Sequence, residues 1–251
     1  MLQEKKQYQE IGRDLRQKIT AGDYPVNTRL PPERNIAETY GVSRTIIREA
    51  LLMLELEGIV DIRQGSGVYV IRIPREDADE PVIYESEVGP FELLQARQLL
   101  ESNIAAFAAK MATKMDIENL RRSLEQEQRD IITNERSVNN DKLFHELIAG
   151  ATQNQMLLET VKSIWQRQES SALWQQLYSH IDTRSLRLRW LADHQNILVA
   201  LRRRDIMGSY QSMWQHMESV KNTLMEISDA DAPEFDGYLF ESVPIFQGKL
   251  V

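Results

Sequence analysis

Apolar residues recur along the first quarter of the chain at the spacing of a helix face. Tyr8, Ile11, Leu15 and Ile19 lie three or four positions apart and predict a first helix ending near Gly22. Tyr24-Pro25 breaks that pattern. A second helix opens at Pro31-Pro32, where a missing N–H costs little and Glu33 faces the positive helix end, and it stops at Gly41. Ser43 is placed to cap a third helix that runs to Glu57, with Gly58 as its terminator. Two β-rich runs follow, 59–63 and 68–73, joined by the hairpin tip Gln64-Gly65-Ser66-Gly67. Helix, helix, glycine turn, helix, hairpin is the element order of a winged helix-turn-helix.

Beyond residue 73 the pattern changes. Residues 74–89, PREDADEPVIYESEVG, are acidic with two prolines and read as a linker. From 90 to 228 only helical periodicity appears. The helices are predicted at 91–113, 115–133, 139–151, 154–178, 184–203 and 205–227. The last stretch, 229–251, is an acidic and aromatic tail. The expected fold class is therefore mainly α: residues 1–73 form the winged head, 74–89 the linker, 90–228 an all-α bundle and 229–251 the tail.

Composition narrows what such a fold can do. The 251 residues contain no cysteine, which excludes disulfides, thiolate zinc sites and thiol catalysis. The charged, amphipathic N-terminus lacks the apolar core of a signal peptide, and no window approaches a bilayer span, so a cytoplasmic protein without membrane attachment is expected. The net charge of −8 is uneven: residues 1–75 hold 12 Lys/Arg against 10 Asp/Glu, or +2, leaving −10 on the remainder. A head this weakly basic binds DNA modestly and with strong salt dependence. Two heads on one operator, hence a homodimer, become part of any DNA-binding reading.

The third helix carries the candidate DNA chemistry. Ile47, Ala50, Leu51 and Leu54 form an apolar stripe that packs inward, while Arg44, Thr45 and Arg48 share a face near its N-terminus. First-turn residues of a recognition helix reach base edges in the major groove, and a guanidinium suits guanine or phosphate alike. Arg34 on the second helix is placed for the backbone or groove edge, and the wing glycines permit close approach of the main chain.

The body holds a second candidate site. All four histidines lie there: His145, His180, His194 and His216. Asp141 and His145 are four apart on one helix face, and His194 and His216 lie on the last two long helices. One carboxylate and three imidazoles from three helices can converge on a divalent ion. Zinc comes first, with nickel, manganese or iron as alternatives. Arg97, one turn before Glu101, is either half of a surface ion pair or a guanidinium that grips an effector carboxylate.

The run LPPERNIAETYGVSRTIIREALLMLELEGIVDIRQGSGVYV resembles the signature of the GntR family of transcriptional regulators: an LP-x-ER entry, a G-V-S-R turn, an R-E-A-L helix and a G-x-G wing. The resemblance implies DNA contacts at Arg34, Ser43, Arg44, Thr45, Arg48, Gln64 and Gly65. The body resembles the ligand-binding domain of the FadR subgroup, often called the FCD domain. That likeness implies a metal on Asp141, His145, His194 and His216, with Arg97 near the pocket. The segments GPFELLQARQLLESNIAAFAA, MWQHMESVKNTL and DGYLFES are similar to regulators of hexuronate use, the UxuR and ExuR type. That resemblance implies a dimeric repressor of sugar-acid catabolic genes, released from double-stranded operator DNA by a hexuronate or hexonate bound at the metal. Two other readings stay open on the residues alone: a metal-dependent enzyme acting on sugar acids, and a regulator whose metal is structural and whose carboxylate effector binds elsewhere.

Overall fold

The structure is a computed structural model that describes residues 7–63, 66–74, 88–133, 138–180 and 184–226. The linker residues 75–87, the wing-tip residues Gln64 and Gly65, and the 229–251 tail lie outside the described residues. The fold is mainly α. The order is α1 (Gln7–Ala21), α2 (Glu33–Tyr40), α3 (Arg44–Leu56), β1 (Val60–Arg63), β2 (Gly67–Val70), α4 (Pro90–Met111), α5 (Lys114–Thr133), α6 (Val138–Gly150), α7 (Gln155–Ser170), α8 (Ala172–Ser179), α9 (Arg184–Arg202) and α10 (Ile206–Glu226).

The described residues pack as two compact units. The first contains α1 to α3, the β-hairpin, α8 and the end of α10 from Thr223. The stripe read from the sequence is its core: Leu15, Ile19, Ile47, Ala50, Leu51 and Leu54 are at most 1% exposed. The turn between α2 and α3 depends on Gly41. Its φ of 64° is left-handed, and its N–H satisfies the orphan carbonyls of Ala37 and Glu38. Ser43 then accepts a bond from the Ile46 N–H at 3.4 Å and opens α3 as a cap. The hairpin is antiparallel, with Val60 opposite Val70 and Arg63 opposite Gly67. A third segment that the periodicity did not reveal lies along β2. Leu30 N–H donates to Val68 O at 2.8 Å and Val70 N–H to Thr28 O at 3.0 Å.

The second unit is a helical bundle built from Glu92–Ser170 and Ile181–Asn222. Its centre is apolar, with Ala105, Ala108, Leu120, Phe144, Val161 and Trp165 fully buried. The single helix expected over 154–178 is two helices. Ser171 takes an extended conformation (φ −78°, ψ 119°), and its side chain accepts from Trp174 N–H at 3.1 Å. The apolar period runs on through the break because both pieces have buried faces. Val161 and Trp165 of α7 belong to the second unit, and Leu173 and Leu177 of α8 to the first. A serine cap is cheap in sequence and decisive in structure. Among the described residues, no helix is long and apolar enough to cross a membrane.

Candidate metal centre and DNA-reading face

Asp141 and His145 project from one face of α6, His194 comes from α9 and His216 from α10. One donor atom from each lies within 4.8 Å of the others. The tightest separations are 3.2 Å between His194 Nε2 and His216 Nε2, and 3.4 Å from Asp141 Oδ1 to both His145 Nε2 and His194 Nε2. Ligands bonded at ~2.0–2.1 Å around a tetrahedral zinc stand roughly 3.3 Å apart. The donor set therefore fits a divalent ion in identity and in spacing. The three histidines are at most 2% exposed, and the Nε2 of His145 is a buried atom with no hydrogen-bond partner. Two imidazole nitrogens facing each other at 3.2 Å, with their opposite nitrogens turned to carboxylates, present two lone pairs to one point. A shared cation is the simplest occupant for that arrangement.

Burial opposes charge at His145, His216, Asp141 and Glu101, and the neighbours either oppose or reinforce it. At His145, burial works against the proton, but the charge of Glu101 and the neighbouring Asp141 carboxylate lift the value to about 9. At His216, burial and the positive charge of His194 push it down to about 4. Burial raises and the partners lower the Asp141 carboxyl; His145 and His194 win and hold it below the ordinary carboxylate range. Burial likewise opposes ionisation of Glu101, yet Arg97 and His145 bring it down to about 2.

Arg97 is inside, not on a solvated face. It is 3% exposed, pairs with Glu101 through Nε at 2.7 Å, donates to Gln168 Oε1 at 2.9 Å and lies 4.0 Å from the centre of the Trp165 ring. The Trp165 ring is 5.4 Å from that of His145, so Arg97 sits one residue removed from the donor cluster.

The residues expected to read DNA separate into two groups. Arg34 is outside, 67% exposed at its side chain and paired with Glu38 at 3.0 Å. Ser43, Arg44, Thr45 and Arg48 are buried, between 1% and 7% exposed, instead of forming an open face. Arg48 shows why. Its Nη2 pairs with Glu33 at 2.8 Å, and its Nη1 donates to the carbonyls of Leu224 and Met225 at 2.6 and 2.7 Å. Those carbonyls belong to the last turn of α10, where helical partners run out and the dipole is negative. A guanidinium fills both needs, so in this conformation it points inward.

The head and the body each match a family model. Residues 7–70 match the bacterial regulatory proteins of the gntR family, and residues 92–219 match the FCD domain. The chain is 46% identical over 245 residues to the Uxu operon regulator of Haemophilus influenzae, covering 96% of this chain and 90% of that protein. It is 47% identical over 242 residues to the Uxu operon transcriptional regulator of Escherichia coli, covering 95% and 94%. The Exu regulon transcriptional regulator of the same organism is 43% identical over 241 residues, covering 95% and 92%. The chain belongs to the GntR family, with an FCD body. It is a DNA-binding transcriptional regulator and not an enzyme.

Within this GntR regulator, sequence reasoning passed over several residues that bear on the two sites. Arg29 and Arg63 flank the wing. Arg29 lies against Gly67, its guanidinium filling the space a Cβ would take, and the φ of 106° there also disfavours a side chain. Arg63 stacks on Tyr69 at 4.3 Å and pairs with Asp61 at 2.7 Å. For Arg63 its place at the end of a predicted strand was the available signal; Arg29 lies ahead of the second helix, outside both predicted strands. His180, left out of the ligand set, stays out of it: its Nε2 lies 2.9 Å from Glu55 of α3. The carboxylates behind the histidines, Glu101, Glu127 and Asp193, carry no spacing relation to them and were not legible.

Proposed function

We propose that this GntR regulator is a homodimeric cytoplasmic repressor of hexuronate-use genes, released from its operator by a sugar acid that binds at a divalent metal in the FCD body. The observation that carries the reading is the four-donor cluster of Asp141, His145, His194 and His216, with its separations of 3.2 to 3.4 Å. The names of the Uxu and Exu relatives support hexuronate genes as targets. Zinc is the first choice of ion because the donors are three imidazoles and one carboxylate at tetrahedral spacing. When bound, the ion supplies a Lewis-acidic anchor for carboxylate and hydroxyl oxygens. Arg97 stands beside it as the guanidinium for the acid group, and engaging it requires the effector to share or displace Glu101 or Gln168.

The operator side follows from the head. Arg34, Ser43, Arg44, Thr45 and Arg48, with Gln64 and Gly65 at the wing, are the proposed contacts to double-stranded DNA, and Arg29 and Arg63 join them as backbone contacts. Reading DNA requires Arg48 to exchange Glu33 and the carbonyls of α10 for a base or phosphate. Helix α10 carries both His216 and those carbonyls, so an effector that prefers one setting of α10 shifts the availability of Arg48. The state described here is the one with Arg48 withdrawn.

Electrophoretic mobility shift on the uxu-type operator, with hexuronates and hexonates added singly, tests the reading. A retarded complex that one of these acids dissolves, and that chelator makes insensitive to the acid, is the expected result. A complex indifferent to every acid in the metal-loaded protein would end the effector claim, and no complex at low salt would end the operator claim.

A further inference from the structure

Each imidazole of the donor cluster has a carboxylate of its own behind it. Glu101 of α4 meets Nδ1 of His145 in a short contact. Glu127 of α5 lies 3.1 Å from Nδ1 of His194. Asp193 of α9 lies 3.5 Å from Nδ1 of His216. The three come from three helices, none is among the four donors, and all point at the nitrogen facing away from the cluster. Glu101 is 2% and Glu127 9% exposed, so keeping each as a carboxylate costs desolvation that apolar packing would avoid.

A carboxylate at Nδ1 can only accept, so it keeps the ring proton on that side and leaves a lone pair on Nε2. It also fixes the ring plane. At His145 and His194 this leaves the Nε2 lone pairs beside the Oδ1 of Asp141, and His216 Nε2 lies 3.2 Å from that of His194, so the donors converge on the space between them. We propose that Glu101, Glu127 and Asp193 are positioning residues of the metal centre, one per histidine, which select Nε2 as the ligand atom and hold the rings so that an ion of zinc size is taken. They never touch the ion. The proposal rests on the metal reading given above and adds to it three residues and their order of importance. Glu101 and Glu127 are within bonding range and matter more; Asp193, at 3.5 Å and with its side chain 26% exposed, matters less. Glu101 also holds Arg97, so its loss leaves a guanidinium unopposed near the ion.

The test uses the full-length protein, stripped and reloaded with Zn²⁺ or Co²⁺, as wild type and as Glu101→Gln, Glu127→Gln and Asp193→Asn. Metal affinity is read by competition with a chelating dye, ligand geometry by the Co²⁺ visible spectrum, and folding by circular dichroism of the metal-free protein. Glu101→Gln and Glu127→Gln should weaken binding roughly 10–100-fold and shift the cobalt bands, Asp193→Asn less, with the metal-free fold intact. Glu127→Asp restores the charge and should recover part of the loss, which a packing defect would not. Glu127 is the less buried of the two glutamates, so its pair of variants keeps the test decisive even if Glu101→Gln does not fold. Wild-type affinity and wild-type cobalt spectra in both glutamine variants would overturn the proposal. A wild-type protein that takes up neither ion would overturn the metal reading itself, a result distinguishable from the first.

Discussion

Single residues set the chemistry of both sites, and Arg48 is the clearest case. As a letter in R-E-A-L it reads as a DNA contact. In the fold it is the most deeply buried charged side chain of α3, at 1% exposure, bound to Glu33 and to two helix-terminal carbonyls. Removing one partner of a buried pair strands the other, at a cost of about 3–5 kcal/mol. Arg48→Ala is therefore expected to lower the unfolding free energy by that order in urea titration, as well as to abolish operator binding. Arg34→Ala should do the opposite: at 67% side-chain exposure it stays within about 0.5 kcal/mol of wild type in stability. It should weaken operator binding evenly across sequences and reduce the salt slope by about one. A destabilised Arg34→Ala with normal DNA binding would refute this division. His145, His194 and His216 teach the same lesson: the residue types suggest a ligand set, but only the 3.2 to 3.4 Å separations distinguish it from three ordinary core histidines.

At the scale of elements, the periodicity located the helices well and their ends less well. The alternation of apolar faces placed α1 to α6, α9 and α10 within a few residues. It ran straight through Ser171 because Trp165 on one side and Trp174 on the other are both buried at helical spacing. A break that keeps the period leaves no trace in the pattern. The consequence is that α8 joins the first unit, where His180 at its C-terminus bonds Glu55 of α3. That bond raises the pKa of His180, with burial opposing and the charges of Glu55 and Asp61 assisting. A raised folded-state value stabilises the fold wherever the ring is protonated. The contribution is complete below the ordinary value of 6.5 and is lost as pH climbs through the raised one. Thermal unfolding of wild type and His180→Gln across pH checks this. Wild type should be the more stable on the acidic side, and the two should converge on the alkaline side; a gap that widens as pH rises contradicts the link.

For the whole molecule, the weak charge of the head makes assembly part of the proposed function. One face of the FCD body is suited to a second copy. Leu100, Phe107 and Met111 form a stripe along α4, each 39–41% exposed, and Ile206 at the start of α10 is 44% exposed. Phe107, Ile206 and Tyr210 line a cleft of about 240 Å³ there. Apolar positions at this spacing are expensive to leave in water and are proposed as the dimer face. Phe107→Glu should yield a monomer in sedimentation velocity and weaken operator binding roughly a hundredfold or more through lost avidity. Metal uptake should be unchanged, because Phe107 belongs to none of the four ligand positions. A dimeric Phe107→Glu protein would move the interface elsewhere.

The sequence by itself determined the family, the mainly α class, the order of elements in the head and the four residues able to ligate an ion. These are local facts. Periodicity, caps and turn glycines act over a few residues, and residue types state what chemistry is available. Only the tertiary structure decided that His145, His194 and His216 meet at a point with Asp141, that each histidine is backed by a carboxylate from another position, and that Arg48 is turned to the end of α10. Such facts depend on residues 22 to 177 positions apart in the chain, brought within bonding distance by helix packing. Spacing along one chain carries no record of distance across a bundle, so the ligands were legible as types and the site only as a place.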